Sequence, residues 1–215
     1  MNSWCRNLEL LIKSRTSLIW IRTKEEERLE KLVNLSCEKL NIKRFVSWDC
    51  VSGIKGLINE KGKFSNNPLG VLNWLKEQSS EVSTVLLVKD FHKFYDDPTI
   101  NRTIKELSST LRETSHNLII SSHLFPSSDE LDEIMTILNL PLPDQKELKN
   151  LIKKIAINTN SNLGEQDLNE LSIASSGLTE IKVKQVTAKA LAQRGKISKE
   201  DIKAVSYTHL RAHET

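Results

Sequence analysis

Apolar and polar positions fall along this chain in two alternating rhythms. The clearest block is Thr84–Val88, TVLLV, a nearly unbroken run of branched and leucine side chains. Such a run, bounded by polar residues, predicts a strand buried on both faces of a parallel sheet. Four more short runs read as strands: Ser17–Arg22, Lys43–Trp48, Asn117–Ser122 and Thr136–Leu140. Between them the apolar spacing switches to that of helices. Leu29, Leu32, Val33 and Leu40 form one such face, Leu69, Leu72 and Leu75 a second, and Ile100, Ile104, Leu107 and Leu111 a third. Leu131 and Ile134 mark a short helix capped by Ser127 or Ser128, and Leu8, Leu11 and Ile12 mark one capped by Asn2 or Ser3. Asp49–Asn66 is weakly patterned, with Gly53, Gly56 and Gly62 at turns.

Start signals agree with this division. Thr23 and Glu26 have the form of a capping box, as do Asp144 and Glu147. Asn67-Pro68 and Asp97-Pro98 each place a cap before a proline at the first helical position. After Pro141-Leu142-Pro143 the strands stop. Leu148, Leu151, Ile152 and Ile155 form one helical face; Leu168, Leu171 and Ala174 belong to a second helix ending near Gly177. Val183, Val186 and Ala190 belong to a third, and Ser198 begins a fourth, stapled by Ile197 and Ile202. Alternating β and α units mean an open parallel sheet with helices on both faces. The expected architecture is therefore an α/β core of five parallel strands over residues 1–143, then a small all-α unit over 144–203.

Composition narrows the classes without choosing a function. The 215 residues are 38% hydrophobic and 27% charged, and the net charge is +3, too slight to argue for a nucleic-acid partner. Cys5, Cys37 and Cys50 have no CxxC spacing, which predicts reduced thiols in a cytosol-like compartment rather than a disulfide framework or zinc site. No apolar stretch is long enough to cross a bilayer. The last residues, Val205–Thr215, read as the translation of a transposase adapter used in DNA library preparation, and Ala204 overlaps its first codon. His209 and His213, four apart like a helical metal pair, are set aside for that reason. Residues 204–215 are thus expected to be non-native, and the chain to be an N-terminal fragment.

Five alternating strands followed by a helical bundle resemble the AAA+ ATPase module. Leu140–Leu148, LPLPDQKEL, is similar to the segment where the last core strand hands over to the lid. Leu168–Val186 is similar to the lid's leucine/alanine helix, glycine turn and next helix. WIRTKEEERLEKLV, LLVKDFHKFYDDP and LPLPD together resemble the AAA-type ATPases first named as hypothetical chloroplast open reading frames, present in algal plastids and cyanobacteria. The resemblance covers most of Ser14–Lys203. In that family a degenerate AAA-like module precedes a second one with intact motifs. The resemblance implies ATP and Mg²⁺ bound in that missing second module, which would also be this module's partner, and a homo-oligomer in the full-length protein. It also implies a cyanobacterial cytosol or plastid stroma and a link to regulation of photosynthesis or carbon use.

The residues at the nucleotide-site positions depart from what the chemistry needs. A phosphate loop uses glycine backbone N–H groups, a lysine, and a Ser/Thr for Mg²⁺. Here the helix after the first strand follows Arg22-Thr23-Lys24, no glycine precedes Gly53, and no GK[ST] occurs. Thr23 and Lys24 are the degenerate Walker A position; Glu25, Glu26 and Glu27 fill the helix's positive end with carboxylates, each worth roughly 0.3–1 kcal/mol. Lys89 and Asp90 are the degenerate Walker B position, a cation standing where Mg²⁺ needs oxygen. Asp90 reads first as a strand-end aspartate capping the next turn, with a lone ligand or base as the alternative, and Lys89 with Asp90 can form an ion pair. Ser121 stands where a first sensor would sit. His92, His116 and His123 read as polar loop residues, the four tryptophans as core, and the lysines at 153, 154, 182, 184 and 189 as a solvated face. No catalytic residue, metal site or cofactor is expected in this chain. The expectation is a structural and interaction module; the alternative is a clamp-loader-like subunit lacking a phosphate loop that binds DNA or partner proteins.

Overall fold

The computed structural model describes residues 3–58, 62–124, 131, 133–161 and 163–194. The chain divides into two compact units, Met1–Leu140 and Pro141–Thr215. In the first, β1 (Leu18–Arg22), β2 (Arg44–Asp49), β3 (Gly53–Lys55), β4 (Thr84–Lys89), β5 (His116–Ser122) and β6 (Met135–Asn139) form one sheet in the order β3-β2-β4-β5-β1-β6. All neighbours are parallel except β2 and β3. Its helices among the described residues include α1 (Ser3–Lys13), α2 (Glu26–Lys39), α3 (Pro68–Lys76) and α4 (Pro98–Glu113).

Every residue of β4 is buried, because β2 and β5 flank it and helices cover both faces. Alternation then divides its side chains between two cores. Leu86 and Val88 join Trp20, Trp48 and the inner faces of α3 and α4. Val85 and Leu87 join Ile19, Ile21 and the inner faces of α1 and α2. All four tryptophans are buried, as their residue type and spacing predict. Beyond β4 a single 3₁₀ turn, Phe91–Phe94, is held by aromatic edges: Phe91 and Phe94 lie 6.1 and 6.0 Å from Trp48, and Trp20 meets Tyr95 at 5.8 Å. Each such pair adds about 0.5–1.5 kcal/mol beyond area burial, so the exit of β4 is anchored.

The sixth strand, β3, departs from the expected five. It lies in the weakly patterned Asp49–Asn66 stretch, where a three-residue strand leaves no periodicity to read. Asp49 creates it: its Oδ1 accepts from the Ser52 N–H at 2.6 Å, turning the chain back so that Ile54 meets Trp48. Gly53 is required there, with φ at +66° and the Lys63 carbonyl 2.5 Å from where a Cβ would stand.

In this unit the Asn67 and Asp97 starts hold and the Thr23–Glu26 start does not. Asn67 Oδ1 accepts from Gly70 N–H at 2.8 Å, and Asp97 Oδ1 from Thr99 N–H at 2.7 Å. The Thr23–Glu26 box is absent: α2 begins at Glu26 with Glu25 as an N-cap that makes no side-chain capping bond, while the Thr23 hydroxyl accepts the Glu25 N–H at 2.9 Å. The chain turns too late after β1 for Thr23 to reach the helix proper.

The second unit contains α5 (Gln145–Asn158), α6 (Glu165–Ala174) and α7 (Glu180–Arg194). Here the Asp144–Glu147 box forms reciprocally, at 2.8 and 2.9 Å. Leu148, Ile152, Leu168, Leu171, Leu178, Val183 and Val186 make its core, and Gly177 supplies the left-handed turn between α6 and α7 at φ +86°. The expected short helix at Ser127 or Ser128, the fourth helix from Ser198, and Ala204–Thr215 with His209 and His213 lie outside the described residues.

His116 is not a loop residue: it begins β5, buried, with Nε2 3.4 Å from the Gln78 carbonyl oxygen. Burial lowers its pKa, the Gln78 carbonyl acts the other way, and the Arg44 charge lowers it further. The folded pKa thus lies below the unfolded value of about 6.5, so below that pH the unfolded chain binds the extra proton. Stability should therefore fall as pH drops from 7 to 5, and His116→Gln should flatten that slope by up to about 1.4 kcal/mol per pH unit, measured as urea midpoints across the range.

Candidate functional site

Chain direction selects the site. From β1 the chain passes beyond β5 and β4 to reach β2 through α2, on the Ile19–Ile21 face. It returns through α3 and α4 on the other face, and after β5 it passes β1 to reach β6. Because crossover connections keep one hand, the change of direction brings the change of face. Adjacent β1 and β5 therefore send their connections opposite ways, which opens a crevice at their carboxyl ends.

That edge is tied by backbone. Thr23 N–H donates to the Ser122 carbonyl at 2.8 Å, and Asp90 N–H donates to the Ser121 carbonyl at 3.1 Å, so the residues after β1 and β4 are both held to β5. Thr23 is half-buried and Lys24 exposed. Ser121 is fully buried, and its Oγ has no hydrogen-bond partner among the described residues. Asp90 is exposed and left-handed, φ +52°, a conformation that aspartate tolerates better than most residues. Its side chain makes no capping bond to the following turn; its carbonyl accepts the Lys93 N–H instead.

Lys89 and Asp90 do not form the ion pair. Successive strand residues point to opposite faces, so Lys89 follows Val85 and Leu87 toward α2 and pairs with Glu30. Glu30 also accepts the Ser47 hydroxyl at 2.6 Å. Burial works to raise the Glu30 pKa, but the Lys89 and Ser47 hydrogen bonds and the Lys89 and Lys55 charges outweigh it, leaving the carboxyl below its ordinary range. Sequence reasoning missed Glu30. Its signal was the i, i+4 spacing from Glu26, which puts both on the turn of α2 above the sheet edge.

Carboxylates crowd this mouth. Glu26 is raised above its ordinary value by burial first and then by the Asp90 charge, with Lys89 opposing and Asp49 and Glu30 adding. Glu25 turns inward and meets Arg28 at 3.0 Å, both side chains buried. The start of α2 thus presents carboxylates where a helix terminus otherwise favours anions. On the other side of Asp90, the His92 and His123 rings meet edge to face at 4.9 Å.

A family profile described as the N-terminal domain of SpoVK-like AAA ATPases matches residues 4–140, and the profile of their second domain matches 146–207. The chain belongs to the SpoVK-like AAA ATPase family. It is 31% identical over 203 residues to the AAA domain-containing protein ycf46 of Guillardia theta, covering 94% of this chain and 40% of that one. With ycf46 of Pyropia yezoensis it shares 30% over 195 residues, covering 91% and 40%. The chain thus spans about two fifths of the length of these plastid relatives. Among solved structures it is similar to the HORMA:CdnC:Trip13 complex of E. coli MS115-1, with TM-score 0.65, 9% identity, and 95% and 86% of the two chains covered. Domain III of the Thermotoga maritima replication initiation protein DnaA gives 0.56 at 13%, covering 94% and 90%. At these identities the likeness is one of fold, that of AAA+ domains.

Lys89→Met should test the local electrostatics. It leaves Glu30 and Glu26 without their shared cation and should cost about 1–2 kcal/mol, less than a fully buried pair because Glu30 is about a third exposed. Adding Glu30→Gln should recover part of the loss. Guanidinium unfolding of the two single variants and the double variant measures the coupling.

Proposed function

We propose that this chain is a catalytically silent AAA-like module with a structural and interaction role, and that ATP hydrolysis belongs to a separate AAA module of a longer protein. The observation that carries the reading is the pairing of Lys89 with Glu30 beneath an α2 terminus whose first turn carries Glu26 and Glu27. A triphosphate approaching that terminus meets carboxylates, where binding needs free N–H groups and a lysine. Mg²⁺ requires an oxygen ligand at the end of β4 and meets an ammonium already held by a carboxylate. The loop from Thr23 to Glu25 contains no glycine to let a backbone wrap phosphate. The residues present do not fit a nucleotide with its metal, and no hydrolytic step is assigned to them.

What remains is an α/β body with a helical unit, the expected division being a core to residue 143 and a lid over 144–203. In the longer protein such a body can brace an active neighbour and assemble into an oligomer without turning over nucleotide. Isothermal titration of the full chain with ATP and Mg²⁺ tests the proposal. The expected result is no saturable heat up to millimolar ATP; saturable, Mg²⁺-dependent binding lost on chelation would overturn it. A second titration, with the catalytic module of a plastid relative, should show complex formation.

A further inference from the structure

We propose that Asp90, His92 and His123 form a binding site for one divalent transition-metal ion of the zinc class at the carboxyl edge of the sheet. One ligand atom from each lies within 4.8 Å of the other two. His92 Nδ1 is 3.9 Å from Asp90 Oδ1, and the imidazoles stand edge to face, 87° apart. Around a tetrahedral ion with bonds of about 2.0–2.2 Å, ligand atoms sit roughly 3.3–3.5 Å from one another. The gap closes by side-chain rotation of Asp90 and His123, both exposed.

The second observation is His92 itself. Its side chain is only 8% exposed, yet neither ring nitrogen has a hydrogen-bond partner among the described residues. A buried imidazole left unsatisfied costs about 1–3 kcal/mol, which a metal–nitrogen bond offsets. The third is how firmly the ligands are placed. Phe91 and Phe94 lock the turn carrying His92 beneath Trp48. Asp90 is tied by its N–H to Ser121. His123 follows Ser122, whose carbonyl is bound by Thr23 and whose hydroxyl accepts the Leu124 N–H at 3.0 Å. Backbone geometry thus brings together His92 and His123, 31 positions apart in the sequence.

Donor chemistry selects the ion. Two imidazoles and one carboxylate suit Zn²⁺, Co²⁺, Ni²⁺ or Cu²⁺, whereas Mg²⁺ and Ca²⁺ call for oxygen throughout. Three protein ligands leave a fourth position for water or for a side chain of a bound partner. The ion would clamp the turn after β4 to the loop after β5. This site is independent of the nucleotide reading, since none of its ligands was needed to exclude a phosphate.

The test uses the 215-residue chain carrying His209→Gln and His213→Gln, so that this pair contributes no ligands. Zn²⁺ is titrated against a chromophoric chelator, with Tm followed in parallel. The expected result is one Zn²⁺ per chain and a raised Tm. Affinity should fall about tenfold or more in His123→Gln and in Asp90→Asn; both positions are exposed, and asparagine keeps the left-handed backbone. Substituted Co²⁺ should show no thiolate absorption. Absence of binding at micromolar Zn²⁺, equal binding in the variants, or a cobalt–thiolate band pointing to Cys5, Cys37 or Cys50 would each overturn the proposal.

Discussion

The parallel pairing of β4 with β5 is the constraint on which the rest of the first unit depends. It buries β4 completely and so sends Leu86 and Val88 to one core and Val85 and Leu87 to the other. Its register runs from Thr84 opposite His116 to Lys89 opposite Ser121, and the Asp90 N–H continues it one bond further. Slipping that register by one residue would exchange the two faces, sending Leu86 and Val88 into the core that Val85 and Leu87 fill and carrying Lys89 away from Glu30. The polar groups of the carboxyl edge therefore stand where apolar packing puts them.

At that edge charge follows geometry. Lys89 lies on the α2 side because the strand alternates, and it meets a carboxylate, Glu30, that α2 holds above it. Glu26 beside it holds its proton more tightly than usual, first because burial disfavours its charged form and then because the Asp90 charge opposes ionisation. Asp90, left-handed just past the strand end, lies beside His92, its Oδ1 3.9 Å from His92 Nδ1. The end of this strand and the residue after it thus sit in separate electrostatic environments: a cation paired with Glu30, and an aspartate grouped with two imidazoles.

Much of the fold was legible because its signals are local. The run Thr84–Val88 can be buried only in the middle of a sheet, and Asn67, Asp97 and Asp144 cap helices through bonds reaching three residues at most. The Thr23–Glu26 pair carries the same letters but fails, because the exit direction of β1, set by β5 and β6, delays the helix. β3 was illegible for a related reason. Three residues carry no period, and its pairing depends on an Asp49 turn and on a glycine that reads equally well as loop.

By itself, then, the sequence determined the α/β class, the apolar faces of the helices, and the lack of glycines at the first βα turn. Each follows from composition or from contacts between near neighbours. Only the tertiary structure decided the partner of Lys89, the burial of His116 and His92, and the meeting of His92 with His123. These depend on strand order and parity, which bring distant residues together and leave no mark on spacing along the chain.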